Sequence, residues 1–159
     1  MENDRRFPQF AEILLVEDNP DDEQLTIEAL KDAHLANRLV VVRDGAEAID
    51  FLFQHSSGNT SALKVVLLDI KLPKVDGLEV LRRMRDNPAT ADIPVVLLTS
   101  SAEERDVNRG YELRANSYIV KPVDFLQFAT AVKEIGVYWA VLNRPPAVSP
   151  SPREQAAVT

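Results

Sequence analysis

The sequence predicts an α/β fold, a doubly wound five-stranded parallel sheet of order 2-1-3-4-5 with five helices. Short apolar runs alternate five times with helical patterns, which is typical of parallel strands joined by helices. Two of these runs, Ile13–Val16 and Val65–Leu68, are apolar throughout, as expected for buried central strands. Both end in carboxylates: Glu17-Asp18 follows the first run and Asp69 follows the second. The pattern therefore predicts both the sheet and an acidic edge.

The first half of the chain predicts two strand–helix units. In order, these are strand Ile13–Val16, a helix from Asn19 to about His34, strand Leu39–Val42 and a helix from Asp44 through Leu52. Asn19 is a favoured N-cap residue, and Pro20 suits the first helical position because its missing N–H is not needed there. Leu25, Ala29 and Leu30 then lie on one face of the first helix, which predicts the side that packs on the sheet.

The second half predicts three further units. In order, these are strand Val65–Leu68, helix Gly77–Arg85, strand Val95–Leu98, a helix beginning at Ser101, strand Tyr118–Val120 and a helix capped by Asp124 that runs to about Asn143. Ser101 and Glu104 have the spacing of a capping box. We expect residues 1–11 to be an N-terminal extension and residues 12–143 to be the folded domain. Residues 144–159, rich in Pro, Ser and Ala, have the composition of a disordered tail.

Composition excludes several classes of protein. The chain of 159 residues has no cysteine, which rules out disulfides, a thiol nucleophile and a zinc–thiolate site. Its two histidines, His34 and His55, are too few for a histidine-rich metal centre. A net charge of −7 disfavours nucleic-acid binding. No apolar run reaches the ~20 residues of a membrane span, and the N-terminus lacks a signal-peptide core, so we expect a cytoplasmic protein.

The acidic strand ends predict a metal site. With strands one and three adjacent, Glu17, Asp18 and Asp69 meet at the carboxyl edge of the sheet. Three clustered carboxylates repel one another unless a cation is present, and oxygen ligands favour Mg²⁺ or a similar hard ion. Lys121 after strand five and Thr99 at the end of strand four offer a positive charge and a hydroxyl at the same edge. This set suits phosphoryl transfer, with Asp69 as a candidate nucleophile.

These residues together resemble the receiver domain of two-component response regulators, a flavodoxin-like fold. The resemblance covers about residues 12–143 and rests, in chain order, on Glu17-Asp18, Asp69, Leu72-Pro73, Asp76-Gly77, Thr99 and Lys121-Pro122. It implies that Asp69 accepts a phosphoryl group and that Glu17, Asp18, Asp69 and the Lys71 backbone carbonyl bind Mg²⁺. It also implies that Lys121 contacts the phosphoryl group and that the peptide bond from Lys121 to Pro122 is cis. It further implies that Thr99 and Tyr118 move together as a switch. Such a protein is a signalling protein that catalyses only its own phosphorylation and dephosphorylation.

A finer resemblance is to single-domain receivers paired with bacterial phytochrome histidine kinases. It rests on the long segment between strands two and three, on Ala115-Asn116-Ser117-Tyr118 and on a last helix ending in Tyr138-Trp139. It implies a sensor histidine kinase, here a phytochrome, as the phosphoryl donor. With about sixteen residues after Asn143, we expect no DNA-binding output domain. Output would then be a protein contact or onward transfer to a histidine phosphotransfer protein.

Two alternatives come from other classes of protein. A pseudo-receiver, a binding module that is not phosphorylated, usually lacks one of the acids or the lysine, and this chain keeps them all. A hydrolase with an aspartyl nucleophile typically carries a second aspartate two residues after the first, where this chain has Lys71.

The last helix predicts an association surface. One apolar stripe is expected to face the core and comprises Phe125, Phe128, Val132, Ile135, Trp139 and Leu142. Val137, Tyr138, Ala140 and Val141 make the final turns apolar on the other side as well. We expect a homodimer through helix four, strand five and helix five, with Tyr138, Trp139, Val141 and Leu142 at its interface. The alternative is that the tail folds back over this helix.

Overall fold

The five predicted strand–helix units are present in the structure, a computed structural model that describes residues 11–54, 62–99, 104–120 and 125–143. The strands are β1 (Ile13–Val16), β2 (Leu39–Val42), β3 (Val65–Asp69), β4 (Val95–Thr99) and β5 (Ser117–Val120). The helices are α1 (Pro20–Asp32), α2 (Gly45–Ile49), α3 (Gly77–Asp86), α4 (Glu104–Glu112) and α5 (Phe125–Val137). A short 3₁₀ turn (Ala36–Arg38) precedes β2, and π-helical turns follow α2 (Asp50–Gln54) and α5 (Tyr138–Leu142). The predicted starts at Ser101 and Asp124, the extension before Ala11 and the tail after Asn143 lie outside the described residues.

The sheet has the predicted order, β2-β1-β3-β4-β5, and every neighbouring pair is parallel. β1 and β3 form its centre, and each of their residues from Ile13 to Val16 and from Val65 to Leu68 is fully buried. Alternate side chains of these strands enter two separate cores, one on each face of the sheet. Both faces must therefore be covered by helices, which explains why the two runs are apolar without alternation.

Local capping fixes where two of these helices begin. The Asn19 side chain accepts hydrogen bonds from the N–H groups of Asp21 and Asp22, as the sequence predicted for the start of α1. Asp76 accepts one from the N–H of Leu78 and so starts α3 directly after the loop that follows β3. Both helices thus begin beside the carboxyl edge of the sheet. Among the described residues, no helix has the length and apolar character that crossing a membrane requires.

Asn116 sets the start of β5. Its N–H donates to the Val95 carbonyl (2.8 Å) and its side-chain oxygen accepts from the Val95 N–H (2.9 Å), which extends the β4–β5 pairing by one residue. The Arg85 guanidinium, partly buried at the end of α3, donates to the carbonyls of Ile93 (2.8 Å) and Arg114 (2.9 Å). These contacts tie the loops before β4 and β5 together and so fix the register of the last strand.

The end of the last helix differs from the prediction. Val132 is fully buried and Ile135 and Trp139 are partly buried, but Leu142 is 66% exposed, so its assignment to the core-facing stripe is wrong. Ala140, assigned to the outer side, is instead buried. The reason is the π turn, in which the Asn143 N–H donates to the Tyr138 carbonyl (2.7 Å) five residues earlier. The wider turn rotates the following side chains away from a 3.6-residue stripe. The side chains of Phe125 and Phe128 lie outside the described part.

Candidate functional site

Three carboxylates meet at the carboxyl edge of the central strands. Glu17 directly follows β1 and Asp69 ends β3, and the pairing of Val16 with Leu68 places the two residues side by side. One carboxylate oxygen of each of Glu17, Asp18 and Asp69 lies within 4.8 Å of the others. Glu17 is fully buried and Asp69 nearly so, whereas Asp18 is exposed. The structure therefore brings together the three acids that the sequence predicted, with Asp18 open to solvent.

Backbone groups hold the two buried acids in place. The Glu17 N–H donates to the Val42 carbonyl (3.1 Å), which continues the β1–β2 pairing, and the Glu17 carboxylate accepts from the Asn19 N–H (3.2 Å). The Lys71 N–H donates to Oδ1 of Asp69 (3.1 Å). Because these donors belong to the main chain, the positions of both carboxylates follow directly from the fold.

The loop between β3 and α3, residues 71–76, is fixed to the start of α2. The Gly45 N–H donates to the Pro73 carbonyl (3.2 Å), and the Lys74 ammonium lies 3.4 Å from the Asp44 carboxylate. A Cβ at Gly45 would collide with the Val75 backbone, so this close approach requires glycine. The pKa of Asp44 is lowered, chiefly by the hydrogen bond from the Glu47 N–H and further by Lys74. Sequence reasoning found Asp44 only as a helix start and did not find the contact with Lys74.

Gly77 determines how close α3 comes to Asp69. Its N–H donates to the Ile70 carbonyl (2.8 Å), and a Cβ built on it would collide with the Asp69 carbonyl oxygen and lie 2.8 Å from the Ile70 Cα. These obstacles are backbone atoms, which cannot turn away as a side chain can. The sequence indicated Asp76-Gly77 only as part of the receiver-domain motif. In the structure, the absence of a side chain at Gly77 lets the first turn of α3 pack against the end of β3.

Two further predicted site residues, Thr99 and Tyr118, belong to β4 and β5. Thr99 ends β4 and pairs in register with Val120, the last residue of β5, so Lys121 comes next in the chain after that pair. The Thr99 side chain, Lys121 and the predicted cis bond to Pro122 lie outside the described residues. The Tyr118 ring is partly buried and packs against the core on its face of the sheet.

The donor set fits a divalent cation. Ionised carboxylates at these separations repel one another, and a hard cation removes that repulsion. All three side-chain donors are carboxylate oxygens, the ligands preferred by Mg²⁺, Mn²⁺ and Ca²⁺. The described residues contain one group of three acidic side chains close enough to share an ion, and it is this one. The arrangement can thus hold a divalent ion beside the Asp69 carboxylate.

Comparison with known proteins identifies the family of the chain. Residues 13–133 match the family model described as the response regulator receiver domain. This match covers most of the chain, which therefore belongs to the response regulator receiver family. The predicted flavodoxin-like receiver fold is confirmed.

Two prokaryotic regulators are similar to the chain over most of their own lengths. The chain is 42% identical over 134 residues to the probable methanogenesis regulatory protein FilR2 of Methanothrix harundinacea, covering 84% of this chain and 86% of that protein. It is 41% identical over 128 residues to response regulator Rcp1 of Synechocystis, covering 80% and 87%.

Solved structures extend the comparison. The Mn²⁺-bound form of Rcp1 has a TM-score of 0.76 at 40% identity, covering 85% of this chain and 98% of that one. The phosphorylated cyanobacterial phytochrome response regulator RcpA has a TM-score of 0.77 at 38% identity, covering 85% and 97%. The resemblance to receivers of the phytochrome-linked type is confirmed.

Proposed function

We propose that this response regulator accepts a phosphoryl group on Asp69 in a reaction that depends on Mg²⁺. The observation that carries the proposal is the grouping of Glu17, Asp18 and Asp69 within 4.8 Å, with Asp69 at the end of a central strand. An oxygen of the Asp69 carboxylate attacks the phosphorus of the donor, the bond from phosphorus to the donor breaks with its electron pair, and an acyl phosphate results. The hydrogen bond from the Lys71 N–H to Oδ1 orients the carboxylate for this attack.

The metal would be held by the carboxylates of Glu17, Asp18 and Asp69 and by the Lys71 backbone carbonyl. Bound there, Mg²⁺ supplies positive charge that offsets the charge of the phosphoryl oxygens. The contacts of the residue 71–76 loop with Gly45 and Asp44 support the last ligand, because they restrict the loop that carries the Lys71 carbonyl. The Mn²⁺-bound structure of Rcp1 supports a divalent ion in a similar protein.

Lys121 and Thr99 would bind the phosphoryl group, and Tyr118 would follow Thr99 as the switch. The pairing of Thr99 with Val120 supports this assignment, because it puts the ends of β4 and β5 beside each other. A Cβ at Gly110 of α4 would lie 2.6 Å from a Leu97 methyl and 3.8 Å from the Tyr118 ring, so α4 packs closely over this ring. Rotation of Tyr118 would therefore change the packing of α4, which gives the switch a route to the surface.

Intact mass spectrometry tests the phosphoacceptor assignment. We expect the wild-type chain to gain one phosphoryl group after incubation with acetyl phosphate and Mg²⁺. EDTA should abolish the gain, and so should the Asp69→Asn substitution, which keeps the shape of the side chain but removes the nucleophilic carboxylate. A chain that stays unmodified by acetyl phosphate and by a histidine kinase alike would instead be the pseudo-receiver.

The phosphoryl donor would be a sensor histidine kinase of the phytochrome type. The similarity to RcpA, a phytochrome response regulator, supports this choice. The signal would leave by protein contact or by transfer to a histidine phosphotransfer protein. The cytoplasmic location expected from the sequence stays a prediction, as does the absence of nucleic-acid binding expected from the charge.

A homodimer through the α4–β5–α5 face is the second proposal. Exposed apolar side chains support it: Tyr111 on α4, Val120 on β5, Leu126 on α5 and Tyr138, Val141 and Leu142 on the π turn. A shallow groove on α5 is lined by Leu126, Gln127, Thr130, Ala131 and Glu134. The same elements also carry exposed charges of both signs, such as Arg109 and Glu112 on α4, so a second copy of the surface offers complementary charges as well as apolar side chains. Trp139, predicted as an anchor, is partly buried against the core of its own chain.

Leu142→Glu is expected to weaken the dimer at least tenfold. The side chain is 66% exposed, so the substitution should leave the folded monomer unchanged, while a charge at a desolvated contact opposes association. Sedimentation velocity over a range of concentrations measures the dissociation constant. Ala89→Glu is the control, because it adds the same charge at an exposed position of the α3–β4 loop. An unchanged dimer in Leu142→Glu would contradict the assigned interface.

A further inference from the structure

The π turn at the end of α5 leaves a buried carbonyl without a partner in the turn. In a π turn, each carbonyl accepts from the N–H five residues later, as Tyr138 does from Asn143 (2.7 Å). The turn ends at Asn143, whose backbone is extended (ψ 138°), so Ala140 lies in the last turn of the helix, where carbonyls lack helical partners. Ala140 is 2% exposed, and a buried carbonyl that lacks a hydrogen bond is costly. The turn therefore needs a donor from elsewhere in the chain.

Lys64 supplies that donor. It lies directly before β3, and its ammonium donates to the Ala140 carbonyl at 3.0 Å. A positive charge at this place also interacts favourably with the negative end of the α5 dipole. The contact joins residues 76 positions apart, so it connects the end of α5 to the start of a central strand.

The Lys64 ammonium is itself held in place where β1 and β3 begin. Glu12 lies 3.6 Å from the Lys64 ammonium, and the Lys64 N–H donates to the Glu12 carbonyl (2.8 Å). Glu12 also accepts from the Arg38 guanidinium (3.0 Å), which keeps its carboxylate in place. These contacts therefore hold Lys64 in place beside the first residues of β1 and β3.

The contact lies at the buried residue of the turn, while three apolar side chains of the turn are exposed. With Ala140 turned inward toward Lys64, Tyr138, Val141 and Leu142 are exposed by 49%, 57% and 66%. Trp139 stays partly buried and meets the Tyr138 ring edge-on, with centroids 5.0 Å apart. We propose that Lys64 is a positioning residue that holds the π turn so that Tyr138, Val141 and Leu142 face a second copy of the chain. This inference rests on the homodimer proposed above.

Lys64→Met tests the inference with two independent measurements. It keeps most of the side-chain length but removes the donor. We expect the dimer dissociation constant to rise at least tenfold in sedimentation velocity. The emission of Trp139, the only tryptophan of the chain, is expected to shift to longer wavelength as the loosened turn lets water reach the indole. Lys64→Arg, which keeps a charged donor, is expected to restore both.

The controls separate this contact from the dimer itself. Lys31→Met removes the same charge from an exposed position of α1 and is expected to change neither quantity. Circular dichroism during thermal unfolding checks that each variant is folded at the working temperature. Unchanged Trp139 emission in a folded Lys64→Met chain would overturn the role of Lys64 but not the proposed dimer. A wild-type chain that sediments only as a monomer would overturn the presentation to a second copy and the proposed dimer together.

Discussion

Gly77→Ala is expected to lower the free energy of unfolding by about 3 kcal/mol and to slow phosphorylation of Asp69 sharply. The added Cβ would collide with the Asp69 carbonyl oxygen and press on the Ile70 Cα. Overpacking a tight site typically costs about 1–3 kcal/mol, and the upper end applies here because both obstacles belong to the backbone of a buried strand end. Relief requires moving α3 or the end of β3, and either movement displaces the carboxylate that we assign as the phosphoacceptor.

Gly136→Ala is the matched control for this effect. It adds the same methyl group at a buried glycine, but the nearest atom is a Leu30 side-chain methyl at 2.7 Å, which can turn away. Alanine also raises helix propensity within α5 by up to about 1 kcal/mol, which offsets the crowding. Urea denaturation measures stability, and the rate of mass gain with acetyl phosphate measures phosphorylation. Equal losses of stability in the two variants would contradict the proposed close approach of α3 to Asp69.

Asp18→Asn is expected to weaken Mg²⁺ binding at least tenfold without destabilising the fold. Asp18 is the exposed member of the cluster, so its substitution leaves the core untouched. At ~4 Å and an effective dielectric constant of ~20, two unit charges interact by about 4 kcal/mol. Solvent screening at an exposed site reduces that figure, so we expect a loss of at least about 1.4 kcal/mol, which is tenfold in affinity.

Asp21→Asn is the control for Asp18→Asn. Asp21 is also an exposed acid, three residues later in the first turn of α1, and its substitution makes the same change in net charge. Isothermal titration calorimetry with Mg²⁺ and with Mn²⁺ measures both variants at one ionic strength. Equal weakening of Mg²⁺ affinity by Asp21→Asn and Asp18→Asn would mean that the ion is attracted by the overall negative charge of this end of the protein. The assigned ligands would then be wrong.

The sheet and the carboxylate cluster could be predicted because each depends on a local pattern and one topological rule. Uninterrupted apolar runs such as Val65–Leu68 indicate buried parallel strands, and the alternation with helices fixes the class of fold. Once β1 and β3 are neighbours, Glu17 and Asp69 must lie together, because Glu17 directly follows β1 and Asp69 ends β3. The strand-end positions of Asp69, Lys121 and Thr99 suggested phosphoryl transfer, the family resemblance assigned each residue its role, and these roles stay predictions.

Features that depend on exact backbone geometry could not be predicted. Leu142 was assigned to the core because a 3.6-residue period was continued through a turn that is π-helical, and the wider turn put Ala140 inside instead. The close approach of Gly77 to Asp69 joins two elements whose spacing the sequence does not encode. The contact of Lys64 with the Ala140 carbonyl joins residues 76 positions apart, and no local sequence pattern connects residues at that separation.

The most direct test of the central claim is to trap the phosphorylated residue chemically. Borohydride reduces an aspartyl phosphate to homoserine, which peptide mass spectrometry locates in the sequence. After incubation with Mg²⁺ and acetyl phosphate, we expect homoserine at position 69, and we expect none in the sample treated with EDTA. Homoserine at another aspartate, such as Asp18, or its appearance without a divalent ion would contradict the assignment of Asp69 as the metal-dependent phosphoacceptor.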